Sequence, residues 1–151
     1  MRWGYLAPVG ARPQAVYSPL WLFAERHGGL EEVCLAHSEA TLSAALRVEE
    51  ALKHLVEGAR ATRIQVPEAD VEEASRLMRG VLEAWRARGL KLAVDVTPGR
   101  KAMSIAAYKA AVEAGADAVI YLHLLDPSYE GLPVHLIPSS AWSLVYLRGP
   151  P

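Results

Sequence analysis

The segment 95–101, which reads Asp-Val-Thr-Pro-Gly-Arg-Lys, contains the residue types and spacing that suit a phosphate ligand. It follows an apolar run and precedes a run of small residues, so the sequence predicts a strand, a polar turn and a helix start. Gly99 permits a tight turn, and the first free N–H groups of such a helix point beyond the sheet edge. With the positive charges of Arg100 and Lys101, this segment predicts an anion site.

Two other side chains of this segment leave its role open. Thr97 and Asp95 provide a hydroxyl and a carboxylate that either bond a ribose or hold the turn. The same pattern is typical of an ordinary strand-to-helix loop, in which Asp or Thr caps the helix and glycine makes the turn. The segment alone is therefore compatible with a ligand site and with simple architecture.

A second glycine loop follows the first apolar run of the chain. It contains Gly10, Arg12 and Gln14. If the sheet has the usual doubly wound order, the first and fourth strands are neighbours at the topological switch point, so the Gly10 and Gly99 loops flank one crevice. Arg12 could grip two phosphate oxygens and Lys101 could act as a movable point charge. Two such loops favour a ligand site.

Together these two segments resemble the CARF domain family, the CRISPR-associated Rossmann-like sensors of cyclic oligoadenylates. The pattern Asp-x-Thr-x-Gly-x-Lys at 95–101 is similar to that family's fourth strand and following loop. Residues 5–21 look like its first strand, glycine turn and first helix, and the likeness extends over residues 3–124. The resemblance implies a stand-alone, ring-nuclease-like member that binds cyclic oligoadenylate, chiefly cyclic tetra-adenylate, at a homodimer interface.

The resemblance also implies a reaction. A ribose 2′-hydroxyl would attack its own 3′-phosphodiester without a metal, which would switch off type III CRISPR antiviral signalling. The residues expected to bind the ligand are Gly10, Arg12, Gln14, Thr97, Gly99, Arg100 and Lys101, and those expected in catalysis are Lys101, His37 and Ser18. Two alternatives remain: a non-catalytic sensor that regulates a partner protein, and a domain for another nucleotide or a phosphorylated metabolite.

The histidines offer one candidate for proton transfer. His37 follows the second predicted strand, where an imidazole could move the proton of a ribose hydroxyl. Its alternative role is to cap the second helix. His123 lies in an apolar strand and is expected to be a hydrogen-bonded core or interface residue. The single cysteine and the scattered histidines lack metal-ligand spacing, so we expect no metal and no cofactor.

Composition narrows the function classes. The 151 residues fit one domain, 1–151, with 125–151 as a C-terminal edge strand and tail. A net charge of −1 excludes the broad basic surface that duplex nucleic acid requires. No apolar run is long enough for a membrane span, and no secretory leader is evident, so we expect a cytoplasmic protein. The preference for Arg over Lys and the lack of Asn suggest a thermophile.

The hydrophobic pattern predicts an α/β fold, a Rossmann-like three-layer, doubly wound and mainly parallel sheet of about six strands. An apolar tail at 141–147 is expected to pack on the domain or on a partner subunit. The predicted strands cover residues 4–9, 32–36, 63–66, 90–94 and 118–124, with an edge strand at 132–137. The predicted helices cover 15–27, 40–57, 70–88 and 102–114.

Overall fold

The structure is a computed structural model, and it describes residues 1–149. Strands and helices alternate along the chain until the fifth strand, which an extended connection joins to the sixth. The elements are β1 (Trp3–Pro8), α1 (Gln14–His27), β2 (Leu30–His37), α2 (Leu42–Leu55), β3 (Arg60–Gln65), α3 (Val71–Ala87), β4 (Lys91–Asp95), α4 (Lys101–Ala114), β5 (Ala118–Leu124) and β6 (Trp142–Arg148).

The strands form one six-stranded sheet in the order β3-β2-β1-β4-β5-β6. Every neighbouring pair is parallel except β5 and β6, which are antiparallel. The chain runs outward from β1 to β3 and then crosses back to β4, so the order reverses between β1 and β4. The predicted doubly wound α/β fold is confirmed, and so is the pairing of the first and fourth strands.

Two apolar clusters cover the two faces of the sheet. Because side chains alternate along a strand, Tyr5 and Leu6 of β1 point to opposite faces, and both are fully buried. Tyr5 packs with residues of α1 and α2, including Phe23. Leu6 packs with residues of α3 and α4, including Met78 and Met103. The result is the three-layer arrangement that the sequence predicts.

The position of the last strand corrects the sequence prediction. Residues 132–137, predicted as an edge strand, form a turn and a short 3-10 helix (Val134–Leu136). Proline at 133 and 138 removes backbone donors that a strand ladder needs. The edge strand is β6, the segment expected to be a packing tail, and its Leu144 pairs with Leu122 of β5. The last two residues of the predicted tail, 150 and 151, lie outside the described residues.

The connection between β5 and β6 lies close to the carboxyl edge of the sheet. We call residues 125–141 the strap. Its ends are joined by a hydrogen bond of 2.7 Å from Leu125 N to Ala141 O, and its middle is tied to α1 by a bond of 2.9 Å from Val134 N to Ser18 Oγ. Throughout residues 1–149, each helix is too short or too polar to cross a membrane.

Candidate functional site

The loops that follow β1 and β4 are in direct contact at the carboxyl edge of the sheet. A Cβ atom on Gly10 would lie 3.1 Å from the Cα of Gly99. Gly99 has a φ of +89°, and a Cβ there would lie 3.2 Å from the Cβ of Pro8. Both positions favour glycine, because a side chain at position 10 would crowd the backbone of Gly99 and because the positive φ at position 99 disfavours other residues. The two predicted loops meet at one place, as the strand order requires.

Asp95, the last residue of β4, holds the loop that contains Gly99. It is fully buried, and its Oδ1 accepts a hydrogen bond of 2.9 Å from Thr97 N. Its Oδ2 accepts a bond of 3.1 Å from the Tyr5 hydroxyl. Burial raises the pKa of Asp95 to about 7, although the hydrogen bonds from Thr97 and Tyr5 partly offset it. Of the two roles left open by the sequence, Asp95 therefore has the structural one.

Three cations belong to the loop after β1 and to the start of α4, and they differ in their partners. Arg100 Nη1 lies 2.7 Å from Glu68 Oε1, and Arg12 Nη1 lies 2.9 Å from Glu130 Oε1. Lys101 is exposed and has no carboxylate partner among residues 1–149. No side chain of the N-cap residue bonds the first N–H groups of α4. An anion that approaches this edge would therefore meet free N–H donors and one unpaired ammonium group.

Four of the predicted site residues line one cavity of about 200 Å³. They come from three different elements, because the loop after β1, helix α1 and the loop after β4 converge at this edge. The strap forms the opposite wall of the cavity. These four residues are Arg12, Gln14, Ser18 and Thr97. Thr97 Oγ1 also accepts a bond of 2.8 Å from Leu122 N, which fixes the loop to β5.

His37 does not lie on the open surface of this site. It is the last residue of β2, only 3% exposed, and its Nδ1 lies 2.9 Å from Ser38 O. The alternative that His37 caps the second helix is wrong. The turn that leads into α2 is held by Ser38 and Thr41, with a bond of 2.9 Å from Ser38 N to Thr41 Oγ1. His123 is exposed on β5, so it does not lie in the core, and the alternative that it is an interface residue stays a prediction.

A second concave region lies on the other side of the glycine loops. It is an open groove of about 740 Å³ at the carboxyl ends of β2 and β3, and it includes Gln65 and Glu68. The ion pair with Glu68 turns the Arg100 side chain toward it. The carboxyl edge of the sheet therefore offers an open groove of mixed lining and a largely apolar cavity, with the two glycine loops between them.

The chain is similar to several solved structures over most of its length. Can2 from Sulfobacillus thermosulfidooxidans, solved with cyclic tetra-adenylate, is 16% identical with a TM-score of 0.68, over 95% of this chain and 34% of that chain. A type III CRISPR defence DNA nuclease activated by cyclic oligoadenylate is 25% identical with a TM-score of 0.63, over 83% and 19%. Protein VC1899 from Vibrio cholerae is 12% identical with a TM-score of 0.68, over 95% and 33%.

The fold is CARF-like. The resemblance that the two glycine loops indicate is thereby confirmed at the level of the fold. This chain spans about a third or less of the length of the three solved proteins. No protein-family model matches the sequence, and no curated protein sequence matches it.

The CARF-like fold of this chain contains site elements that sequence reasoning missed. Glu68 pairs with Arg100, and Glu130 pairs with Arg12. Tyr129 and Trp142 line the cavity under the strap. The local sequence around a glutamate cannot predict its partner here, because both ion pairs join residues far apart in the chain. The one sequence signal was the turn after β5, where Asp126 and proline mark the start of the strap.

Proposed function

We propose that this chain binds a cyclic oligoadenylate, most specifically cyclic tetra-adenylate, at the carboxyl edge of β1 and β4. The observation that carries this proposal is the contact between Gly10 and Gly99 beside the uncapped start of α4 and the unpaired Lys101. Such an edge can cradle the phosphates of a ligand. The similarity to two proteins that bind or respond to cyclic oligoadenylate supports this choice of ligand.

We further propose that the site opens the ring. A ribose 2′-hydroxyl attacks the adjacent 3′-phosphodiester, the 5′-oxygen leaves with a proton, and a 2′,3′-cyclic phosphate remains. Lys101 stabilises the charge on the phosphoryl oxygens, Arg12 and Arg100 contribute once the ligand displaces their carboxylates, and Ser18, Thr97 or His37 positions the groups or transfers the proton. Opening the ring would end the type III CRISPR signal.

The mechanism proposed here needs no metal and no cofactor. Within residues 1–149, no three His, Cys, Asp or Glu side chains form a group that could hold a metal ion. The in-line attack requires orientation and charge stabilisation, which backbone N–H groups and cations can provide. The proposed reaction would use these groups alone.

We propose that each copy of the chain is a single domain and that the ligand lies between two copies. Lys101, Ile105, Tyr108 and Val112 lie on one stripe of α4, because they are spaced four, three and four residues apart. The three apolar side chains are 58%, 45% and 47% exposed in that order. A partner subunit that covered this stripe would meet the proposed phosphate site at its end, which suits a ring of repeated units on a two-fold axis.

One observation favours the alternative function, a sensor that binds the ring and signals to a partner protein without cutting it. His37 is buried, and one ring nitrogen is already engaged by Ser38 O. If no other group transfers the proton, binding without cleavage follows. Titration calorimetry with cyclic tetra-adenylate, linear tetra-adenylate and ATP tests the binding proposal. Tight binding of the ring alone supports it, and preference for ATP favours a site for another nucleotide.

A further inference from the structure

The cavity under the strap has a mostly apolar lining, which suits a flat aromatic base better than a phosphate. Leu122, Leu124 and Trp142 contribute apolar walls from β5 and β6, and Tyr129 contributes an aromatic ring from the strap. Aromatic and aliphatic walls bind uncharged ring systems by burial and stacking. Thr97, a member of the 95–101 loop, lines the same cavity. A ring held in the cavity would thus lie next to the proposed phosphate site.

The cavity also offers a polar group for orientation. Ser18 is 6% exposed, and its Oγ accepts the hydrogen bond from Val134 N at 2.9 Å. A hydroxyl that accepts one bond retains its own hydrogen. That hydrogen can be donated to an acceptor nitrogen of a heteroaromatic ring. The cavity therefore combines apolar walls with a hydroxyl donor, as nucleobase sites combine apolar walls with a few polar groups.

An ion pair closes the cavity on the side of the glycine loops. Arg12 belongs to the loop after β1 and Glu130 belongs to the strap, and both line the cavity. Their side chains are 61% and 65% exposed, so the pair is screened by water and contributes little to stability. A phosphate that bound Arg12 would replace the carboxylate of Glu130. Binding of an anion would then release the strap from this loop.

We propose that the cavity under the strap is the subsite for one adenine base of the ligand, and that Glu130 competes with a phosphate of the ligand for Arg12. This inference rests on the proposed function, because the base must be attached to a phosphate at the glycine loops. It assigns Tyr129 as the stacking partner and Glu130 as a residue that lowers affinity for the ligand. Base stacking outweighs the weak ion pair, so the ligand replaces Glu130 at Arg12 while Tyr129 stays stacked on the base.

Two matched pairs of variants test this assignment by titration with cyclic tetra-adenylate. Tyr129→Ala should weaken binding by about fivefold or more, whereas Tyr121→Ala, an exposed tyrosine of β5 outside the cavity, should bind as the wild type does. Glu130→Gln should tighten binding by about two- to fivefold. Its control, Glu50→Gln, removes an exposed ion pair on α2 and should leave the affinity for cyclic tetra-adenylate unchanged.

Hydrogen exchange of the free protein provides a second measurement, which needs no ligand. Glu130→Gln should speed the exchange of the Val134 amide, and Glu50→Gln should not. Equal affinities for Tyr129→Ala and wild type overturn the base subsite, and a Glu130→Gln variant with unchanged affinity and unchanged exchange overturns the role of the Arg12–Glu130 ion pair. If the wild type fails to bind cyclic tetra-adenylate, the proposed function is wrong. The same variants titrated with adenosine 5′-monophosphate then test the cavity, and equal or absent binding overturns the subsite.

Discussion

At the scale of single residues, Lys101 carries the strongest prediction about binding. Lys101→Ala should weaken the binding of cyclic tetra-adenylate by roughly 1.5–3 kcal/mol, because it removes one charge-assisted contact to a phosphate. Lys109→Ala is the control on the same helix. Its ammonium group lies two turns further along α4 and is paired with Glu72 and Glu113. Titration calorimetry measures both, and equal affinities for the two variants would remove Lys101 from the site.

Asp95 gives a prediction about pH. In the folded chain Asp95 keeps its proton up to about pH 7, against an ordinary value of 3.8. Between these values the folded state binds an extra proton, so the contribution of Asp95 to the free energy of unfolding falls as pH rises, by at most about 1.4 kcal/mol per pH unit. Asp95→Asn should remove this slope. Urea unfolding from pH 4.5 to 8 measures it, and parallel profiles for variant and wild type would contradict the account.

Residue roles could be predicted where a local pattern determines them. The sequence predicted that the Gly10 and Gly99 loops would flank one crevice, because the strand order makes β1 and β4 neighbours; the direct contact between the two glycines comes from the structure. It did not predict that His37 would be buried, because a histidine at a strand end looks the same in sequence whether its ring faces the core or the crevice. It also missed Glu130, since nothing local to the strap indicates a partner such as Arg12 more than a hundred residues earlier.

At the scale of elements, the contact between the two glycine loops predicts the effect of a single methyl group. Gly10→Ala would place a Cβ 3.1 Å from Gly99 Cα, so one loop must shift by a few tenths of an ångström. We expect weaker binding of cyclic tetra-adenylate and a loss of stability of about 1 kcal/mol. Gly80→Ala in α3 meets nothing within 4 Å and should be neutral or stabilising. Calorimetry and urea unfolding of both variants would decide, and unchanged affinity in Gly10→Ala would contradict a site at this contact.

The elements themselves were largely predictable. Periodicity placed four helices and five strands within a few residues. The predicted start of the third helix at residue 70 agrees with the structure, where Glu73 N donates a bond of 3.0 Å to Asp70 Oδ1 and so caps α3. The prediction of the last strand was wrong because residues 132–137 and β6 are both apolar. Only the prolines around 132–137 distinguish them, and a proline at a strand end is tolerated at an edge. Tertiary pairing with β5 decided between the two.

At the scale of the whole molecule, we predict a homodimer. The apolar tail that first suggested one is β6, packed on β5 of the same chain, so the prediction now depends on the exposed stripe of α4. Tyr108→Glu should give a monomer that is still folded, because it places a charge in the middle of this stripe. Tyr121→Glu, outside the stripe, should leave the dimer intact. Light scattering at tens of micromolar measures both, and a monomeric wild type with and without ligand would contradict the dimer.

The composition of the whole chain leads to two predictions that the fold does not test. A cytoplasmic location and a thermophilic source both stay predictions, since each depends on the sequence alone. A broad basic surface is not expected either. With a net charge of −1, any anion must be bound by local groups, and Lys101 and the start of α4 are such groups.

The measurement that tests the central claim most directly is incubation of the pure protein with cyclic tetra-adenylate in excess chelator, followed by chromatography of the products. The account predicts linear products that end in a 2′,3′-cyclic phosphate, at the same rate with and without chelator. His37→Ala should bind the ring as before but cleave it roughly 100-fold more slowly if His37 transfers the proton. Cleavage that requires added magnesium or manganese, or a ring that survives long incubation with excess protein, would contradict the proposed reaction.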